Sequence, residues 1–583
     1  MRSYLFVLTL AALLFFAMSS SASSLEYKVS GVDRTLRDNI RGWLGTPPET
    51  PEERLNFLVS ARDRVTSSLQ ALGYYRAEIT LDVDRSQSPW QMKVEVTPNE
   101  PVLLRQVRID ILGPAGEEEV FQILVSDTAL RTGEILNHQT YDVFKAKLQN
   151  LGQRRGYFDG SITASRVQVD ADGGTADVLL EYDSGTRYRF GHLDYDATQL
   201  DLDQLKILQP FRAGDPYDVA SLQKFQSDLQ QTGYFSSVVL RPRLAERADY
   251  KVPLSLELFP ARRHRFDLGI GFSTDTEERM SVTWRTPKIN RFGHRQETRL
   301  QYSPINPSGR FIYSIPLSHP LNDTLQLSLR IEENEYGDID SHQEEVAARR
   351  ELKEGDNWLY SYSLRGLNES WDVGDFRADN DYLLPGFSVS HKRRRGPLVN
   401  PEAGFSQYYT VEGASEKVGS DVDLLRIYAD YVMVVSLAER QRLVARGELG
   451  AVYISDKDRD QLAPSLNFFA GGSQNIRGYS YQSLGNEVEV EQDDGTVRTF
   501  VIGGTRLVTA SLEYQYIVNQ SWRAAVFADA GDAFDEGDMD VNYGVGFGVH
   551  YLTPVGAIKM EIANPVGSDT PDWRFHFNIG AEF

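Results

Sequence analysis

The residues of this 583-residue chain whose types and spacing point to chemistry are a cation and the carboxylates within its reach. Arg477 stands in "FFAGGSQNIRGYSYQSLG", followed by Gly478 and Tyr479. Arginine offers a permanent, fork-shaped cation that holds carboxylates in two-point contacts. Gly478 allows a tight backbone bend, and Tyr479 adds an aromatic anchor. In "SLEYQ", Glu513 lies between Leu512 and Tyr514, so on a strand it faces the opposite way from those two apolar neighbours. Such a set makes a latch, not a reaction centre. The chain has no G-x-S-x-G, no phosphate-loop G-K-[ST] and no H-E-x-x-H pair among its nine histidines. "YGVGFGV" imitates a nucleotide fingerprint, but its glycines form one face of an alternating strand. Without cysteine there is no thiolate metal site, thiol nucleophile or disulfide. No catalytic, cofactor-binding or metal-binding residues are therefore expected. Carboxylates are abundant enough to leave an acid/base pair open as an alternative.

The element that must carry Glu513 belongs to a long alternating region. From residue 260 to 583 helical spacing is absent, and apolar residues recur at every second position. In "WRFHFNIGAEF", Trp573, Phe575, Phe577, Ile579, Ala581 and Phe583 point one way, and Arg574, His576, Asn578, Gly580 and Glu582 the other. The same pattern runs through "RFDLGIGF", "LQLSLRI", "YGVGFGVHY" and "AIKMEI". One face suits lipid and the other water. Alternating short turns and longer polar loops count out sixteen strands at about 20 residues per strand with its connection, the allotment of a transmembrane barrel. Five tryptophans of this half are placed for interfacial girdles. A soluble β-sandwich is the alternative, less favoured because so long a helix-free stretch favours closure.

Before residue 260 the periodicity is helical and repeated. "LQALGYYRAEITLDV", "LQNLGQRRGYFDGSITASRV" and "LQQTGYFSSVVLRP" each end a helix at a glycine and open a strand. Gly73, Gly156 and Gly233 set a period near 80, and each copy reads β-α-α-β-β. Three α+β domains are expected, over 23–98, 99–183 and 184–259. An open strand edge in such a sheet can accept an extended peptide, although a rigid spacer fits the pattern equally well. At the start, Met1-Arg2, an apolar run from Tyr4 to Met18 and the small residues Ser20-Ser21-Ala22 read as a secretory signal over 1–22. An uncleaved anchor is the alternative. The net charge of −22 repels nucleic acid, so no nucleic-acid partner is expected.

One connection breaks the economy of the barrel: about 454–504 lies between two strands and carries Arg477-Gly478-Tyr479. Repeated β-α-α-β-β domains, a sixteen-strand barrel ending in Phe583 and a long outer loop with this triplet together resemble the superfamily of BamA, TamA and the two-partner-secretion transporters. The resemblance covers nearly the whole mature chain. It implies that the repeats are POTRA domains in the periplasm, that the barrel over 260–583 sits in the outer membrane of a Gram-negative bacterium, and that the long loop is a lid tucked into the lumen. "VFADAG" resembles the F-x-D-x-G strand motif of the superfamily, which makes Asp529 the preferred partner of Arg477, with Glu513 also within reach.

A count of three repeats resembles the TamA family, the outer-membrane subunits of translocation and assembly modules. That likeness implies an inner-membrane-anchored TamB-like partner docking on the POTRA domains, most naturally the first. It also implies outer-membrane protein clients such as autotransporters, with outer-membrane lipid as a further contact. In this reading the first and last strands close the barrel through a weak seam, because Gly269, Gly271 and Gly580 supply little side-chain packing there. The alternatives are a passive diffusion pore with periplasmic appendages, or a transporter of the two-partner-secretion type.

Overall fold

The computed structural model describes residues 24–195, 201–374, 376–397, 400–491, 496–554, 556–567 and 572–580. The segment read as a signal and Phe583 lie outside them. No helix among the described residues is long and apolar enough to cross a membrane, so any crossing is made by strands.

The described chain up to Pro260 consists of POTRA-like α+β repeats. The first has strand Leu25–Ser30, helices Arg34–Leu44 and Pro51–Ala71, and strands Glu78–Asp84 and Trp90–Thr97. Its helices start where the sequence supplies caps. Asp33 accepts the Leu36 N–H at 2.9 Å, and Thr50 forms a capping box with Glu53 ahead of Pro51. Strand Trp90–Thr97 is central, parallel to the first strand and antiparallel to the second. The second repeat has the same order, with strand Leu103–Leu112, helices Glu119–Ser126 and His138–Arg154, and strands Ser161–Asp170 and Thr175–Asp183. In the third, strand Arg189–Tyr195 and helices Leu202–Leu208 and Val219–Gln231 precede strands Phe235–Pro242 and Lys251–Pro260. Gly73, Gly156 and Gly233 have φ of +91°, +89° and +72°, the left-handed region in which a side chain would be strained. Each core is built by one face of the central strand. Val178, Leu180 and Tyr182 meet Phe121, Phe144 and Leu148 from the helices, each fully buried apolar side chain contributing about 1.5–3 kcal/mol.

The described chain forms two compact units. The first holds the first two repeats together with Phe211–Gln223 and Arg241–Ser255 of the third. Inside it, Glu118 accepts hydrogen bonds from Arg155 Nε (2.9 Å), Arg187 Nη1 (2.9 Å) and Tyr157 Oη (2.6 Å). Arg155 Nη1 also reaches Asp218 at 2.7 Å, and Arg187 Nη2 the Tyr217 carbonyl at 3.1 Å. This partly buried network ties the second repeat to the helical segment of the third. The second unit joins Lys224–Leu240 to the chain from Leu256 onward. There Tyr234 donates its hydroxyl to the Gly293 carbonyl at 2.9 Å, fixing the end of the third repeat's second helix to a short barrel turn.

Sixteen strands make one antiparallel sheet, in chain order from Arg265–Ser273 to Arg574–Gly580. Among the described residues the order is interrupted only by a two-stranded hairpin between the eleventh strand, Gln441–Ile454, and the twelfth, Arg506–Ile517. The lipid-facing set of the first strand is as the alternation demands, with Leu268 80% and Ile270 85% exposed. Two expectations are corrected. Trp371 is not in a girdle: it is 4% exposed and faces the lumen, whereas Trp284, Trp358, Trp522 and Trp573 are exposed. Nor is the inner face polar throughout. Leu367, Tyr382, Leu384 and Leu424 are inward and apolar because they meet protein in the lumen, not water.

Candidate functional site

The protein they meet is the connection between Ile454 and Arg506. It makes 3-10 turns at Asp456–Gln461 and Pro464–Leu466, descends through Arg477, and then forms the hairpin Glu487–Glu491 with Val497–Val501. Leu462, Leu466, Phe468 and Ile476 of this loop are buried against Leu367, Trp371, Tyr382 and Leu384 of the wall, and Tyr479 packs at the edge of the cluster. Apolar burial therefore holds the loop inside.

At its tip every N–H of the Arg477 guanidinium is used. Nε and Nη2 form a fork on Asp529 at 2.7 and 2.8 Å. Nη1 donates to Glu513 at 2.7 Å and Glu561 at 3.1 Å, and Nη2 also reaches Ser511 Oγ at 3.1 Å. The Arg477 backbone N–H adds a third bond to Asp529 at 3.1 Å. The guanidinium carbon lies 3.3 Å from the centroid of the Phe527 ring, a cation–π contact. Arg477 is 2% exposed and Glu513 is fully buried. Ion pairs in such a place hold only with full hydrogen bonding, and removing one partner costs about 3–5 kcal/mol. Gly478, at φ +102°, turns the chain, and its N–H donates to His576 Nε2 on the last strand at 2.9 Å.

The loop also spans the seam. Every neighbouring pair of strands from first to sixteenth is joined by a ladder, but among the described residues no ladder joins the first strand to the last. There, Thr274 N–H donates to the Phe577 carbonyl at 3.1 Å, and Phe577 N–H to Thr274 Oγ1 at 3.2 Å. Phe272 and Phe577 rings stand 5.8 Å apart. Ser473 of the loop donates its N–H (2.9 Å) and hydroxyl (2.5 Å) to Asp275 in the first outer turn, and Asn578 Nδ2 on the last strand reaches Ser473 Oγ at 3.5 Å. Gly269 and Gly271 lie opposite Ser281 and Arg279 on the second strand, and Gly580 opposite Ala557 on the fifteenth.

Residues 258–583 match the Omp85 superfamily domain, and residues 26–98 match the POTRA domain described as TamA domain 1. The chain belongs to the Omp85 superfamily. It is similar to the outer membrane protein assembly factor BamA of Neisseria meningitidis serogroup B, at 20% identity over 89% of this chain and 72% of that one. It is likewise 20% identical to BamA of Nitratidesulfovibrio vulgaris, over 95% of this chain and 83% of that relative. The crystal structure of Haemophilus ducreyi BamA lacking POTRA domains 1–3 superposes with a TM-score of 0.68 at 15% identity, covering 82% of this chain and 99% of that one. These likenesses establish an outer-membrane barrel with periplasmic POTRA domains.

In this Omp85 barrel the structure brings Arg477 together with both carboxylates named from the sequence, Asp529 and Glu513, and adds Glu561, Ser511, His550 and His576. Glu561 was legible: Ile558, Met560 and Ile562 point outward, so the residue between the last two points in. His550 Nε2 donates to Glu561 at 2.9 Å. Glu513, His550 and Glu561 present ligand atoms within 4.8 Å of one another, a spacing open to a metal. The Arg477 guanidinium already bonds both of those carboxylates, so the cation of the site is an arginine.

Proposed function

We propose that this protein is the outer-membrane subunit of a translocation and assembly module, inserting or translocating outer-membrane proteins such as autotransporters. The observation that carries this reading is the seam: in a barrel laddered between every other neighbouring pair of strands, the first and last strands are joined among the described residues by two hydrogen bonds between Thr274 and Phe577. A seam that parts exposes strand edges, which can template an incoming strand while sparing its amides exposure to lipid. Three POTRA-like repeats and the TamA-type match at residues 26–98 favour this module over other Omp85 systems. The partner in this reading is an inner-membrane-anchored, TamB-like protein docking on the first repeat, whose sheet ends in the edge strands Leu25–Ser30 and Glu78–Asp84.

A disulfide across Thr274→Cys and Phe577→Cys tests the gate. Oxidised protein should lose client assembly and regain it on reduction; full activity with the bond formed would exclude lateral opening. Photo-crosslinkers at Lys28 and Thr80 test the partner. An adduct with the TamB-like protein from cells is expected, and its absence from both edges removes the docking assignment. A passive pore is disfavoured because the loop occupies the lumen, and steady large single-channel conductance of the native chain would restore that alternative.

A further inference from the structure

The wall of the barrel away from the Arg477 site carries a concentration of positive charge that the seam does not use, and of its arginines Arg426 meets the lid, donating Nε to the Leu466 carbonyl at 3.2 Å. Strand pairing places Arg299 directly opposite Arg310, and Arg310 directly opposite Arg330, across the third, fourth and fifth strands. All three alternate with lipid-facing residues such as Leu300, Phe311 and Leu329, so they face the lumen. Like charges directly opposite on a sheet are destabilising, so packing does not account for this row. Further round, Arg330 bonds Glu345 at 3.0 Å, Arg365 bonds Glu345 and Glu412 at 2.8 Å each, and Arg426 bonds Glu412 at 3.2 Å. With Glu332, which Arg330 also holds at 2.5 Å, three carboxylates match the three arginines of that chain. Arg310 and Arg349 stand outside it: among the described residues neither has a carboxylate within ion-pair distance.

The two unbalanced arginines line one cavity of about 480 Å³, together with Arg330, Arg365 and Arg426, and only two glutamates line it with them. Ser363, Ser388 and Thr410 add hydroxyl donors. Arg310 and Arg349 come from the fourth and sixth strands with Arg330 on the fifth between them, so three neighbouring strands about 4.8 Å apart present arginines to the same cavity. Arginine forks match phosphate oxygens bidentately, and hydroxyls complete the shell. The volume is that of a site for a small molecule or a headgroup, and too small for a folded segment.

We infer that the lumen wall around Arg310 and Arg349 is a binding site for a phosphate-bearing anion, either a phospholipid headgroup or a diffusible phosphate. The site is independent of the seam and of the client assignment.

The test uses full-length protein in phosphate-free, uncharged detergent, titrated calorimetrically with pyrophosphate and, separately, with dihexanoyl phosphatidylglycerol. Saturable binding of at least one is expected, and Arg310→Gln/Arg349→Gln should weaken it at least tenfold, while Arg166→Gln on the second repeat leaves it unchanged. Arg310→Lys, which keeps the charge but loses the fork, should weaken binding several-fold and serves if the double variant fails to fold. Binding of both probes assigns the site to phosphate as such, and binding of the lipid alone assigns it to a headgroup. No saturable binding of either, equal binding by the arginine variants, or preference for tetraglutamate over both probes overturns the inference.

Discussion

The carbonyl oxygen of Arg477 occupies the space into which a side chain on Gly544 would project. Gly544 sits on the fourteenth strand, opposite Asp529 on the thirteenth, so the wall is hollowed beside the carboxylate that holds the loop. Gly544→Ala places a methyl group against rigid backbone, and overpacking of that kind costs about 1–3 kcal/mol. The expected outcome is a loop displaced from the wall with the barrel intact. A spin label at position 474 should show increased mobility while heat-modifiable gel migration is retained, and an unchanged label spectrum would mean that the loop does not need this hollow.

Removing the cation should do more damage than removing a carboxylate. Arg477→Ala leaves Asp529, Glu513 and Glu561 facing one another without their common partner, a loss of about 3–5 kcal/mol for an unpaired buried charge. Arg477→Ala/Asp529→Asn takes away one of the stranded charges. It should therefore be more stable than Arg477→Ala alone, with a coupling of about 0.5–3 kcal/mol between the two sites. Arg477→Lys keeps the charge but not the fork, and should fall between wild type and Arg477→Ala. Denaturant unfolding in detergent micelles measures wild type, these three variants and Asp529→Asn, which closes the cycle, and strict additivity would show that the arginine acts alone.

The same loop ties the two sides of the seam, because Ser473 is bonded both to Asp275 after the first strand and to Asn578 on the last. Asp275→Ala leaves the Ser473 N–H without its acceptor in a buried place, at a cost of about 1–3 kcal/mol. Lid and seam should then loosen together. In planar bilayers the variant is expected to show more frequent and larger current openings than wild type, and cysteines at 274 and 577 should cross-link more slowly. If openings increase while the cross-linking rate holds, lid and seam move independently.

Much of the barrel was legible because alternation is local. Leu268, Ile270, Phe547 and Phe575 announce the lipid face, and Glu513 and Glu561 follow as inward residues without any knowledge of closure. Which inward carboxylates would meet Arg477 was not legible from pattern. That depends on strand register and on the path of the loop, and it took a family motif to single out Asp529. The Ser473–Asp275 bond spans 198 residues, a separation to which no periodicity points. Trp371 misled for the converse reason. An aromatic residue in a membrane strand reads as a girdle residue, but its face is turned by register toward the lid's apolar cluster. The in-register Arg299, Arg310 and Arg330 are likewise invisible until three strands are paired. In the repeats, the capping residues Asp33 and Thr50 and the helix-ending glycines spell their elements directly. The Glu118 network joins residues from two repeats and has no local signature.

Two tyrosines of that network, Tyr157 through its hydroxyl and Tyr217 through its carbonyl, should cost the first unit stability at alkaline pH. Burial, aided by the neighbouring Asp218 carboxylate, pushes the Tyr217 phenol up to about 12, and burial together with the Glu118 hydrogen bond raises Tyr157 as well. A phenol whose folded-state pKa exceeds its unfolded value near 10 binds its proton more tightly in the folded state. Its contribution to stability is fully present below pH 10 and is lost as pH rises through about 12. Tyr217→Phe keeps the ring against Phe158 and Phe190, at centroid distances of 4.9 and 5.1 Å, and removes the titration. Wild type and Tyr217→Phe should therefore unfold at similar temperatures at pH 7–9. Above pH 10 the wild-type POTRA transition should fall more steeply than the variant's. Parallel curves up to pH 12, followed by circular dichroism in the same detergent, would show that Tyr217 ionises in the folded protein as freely as in the unfolded chain.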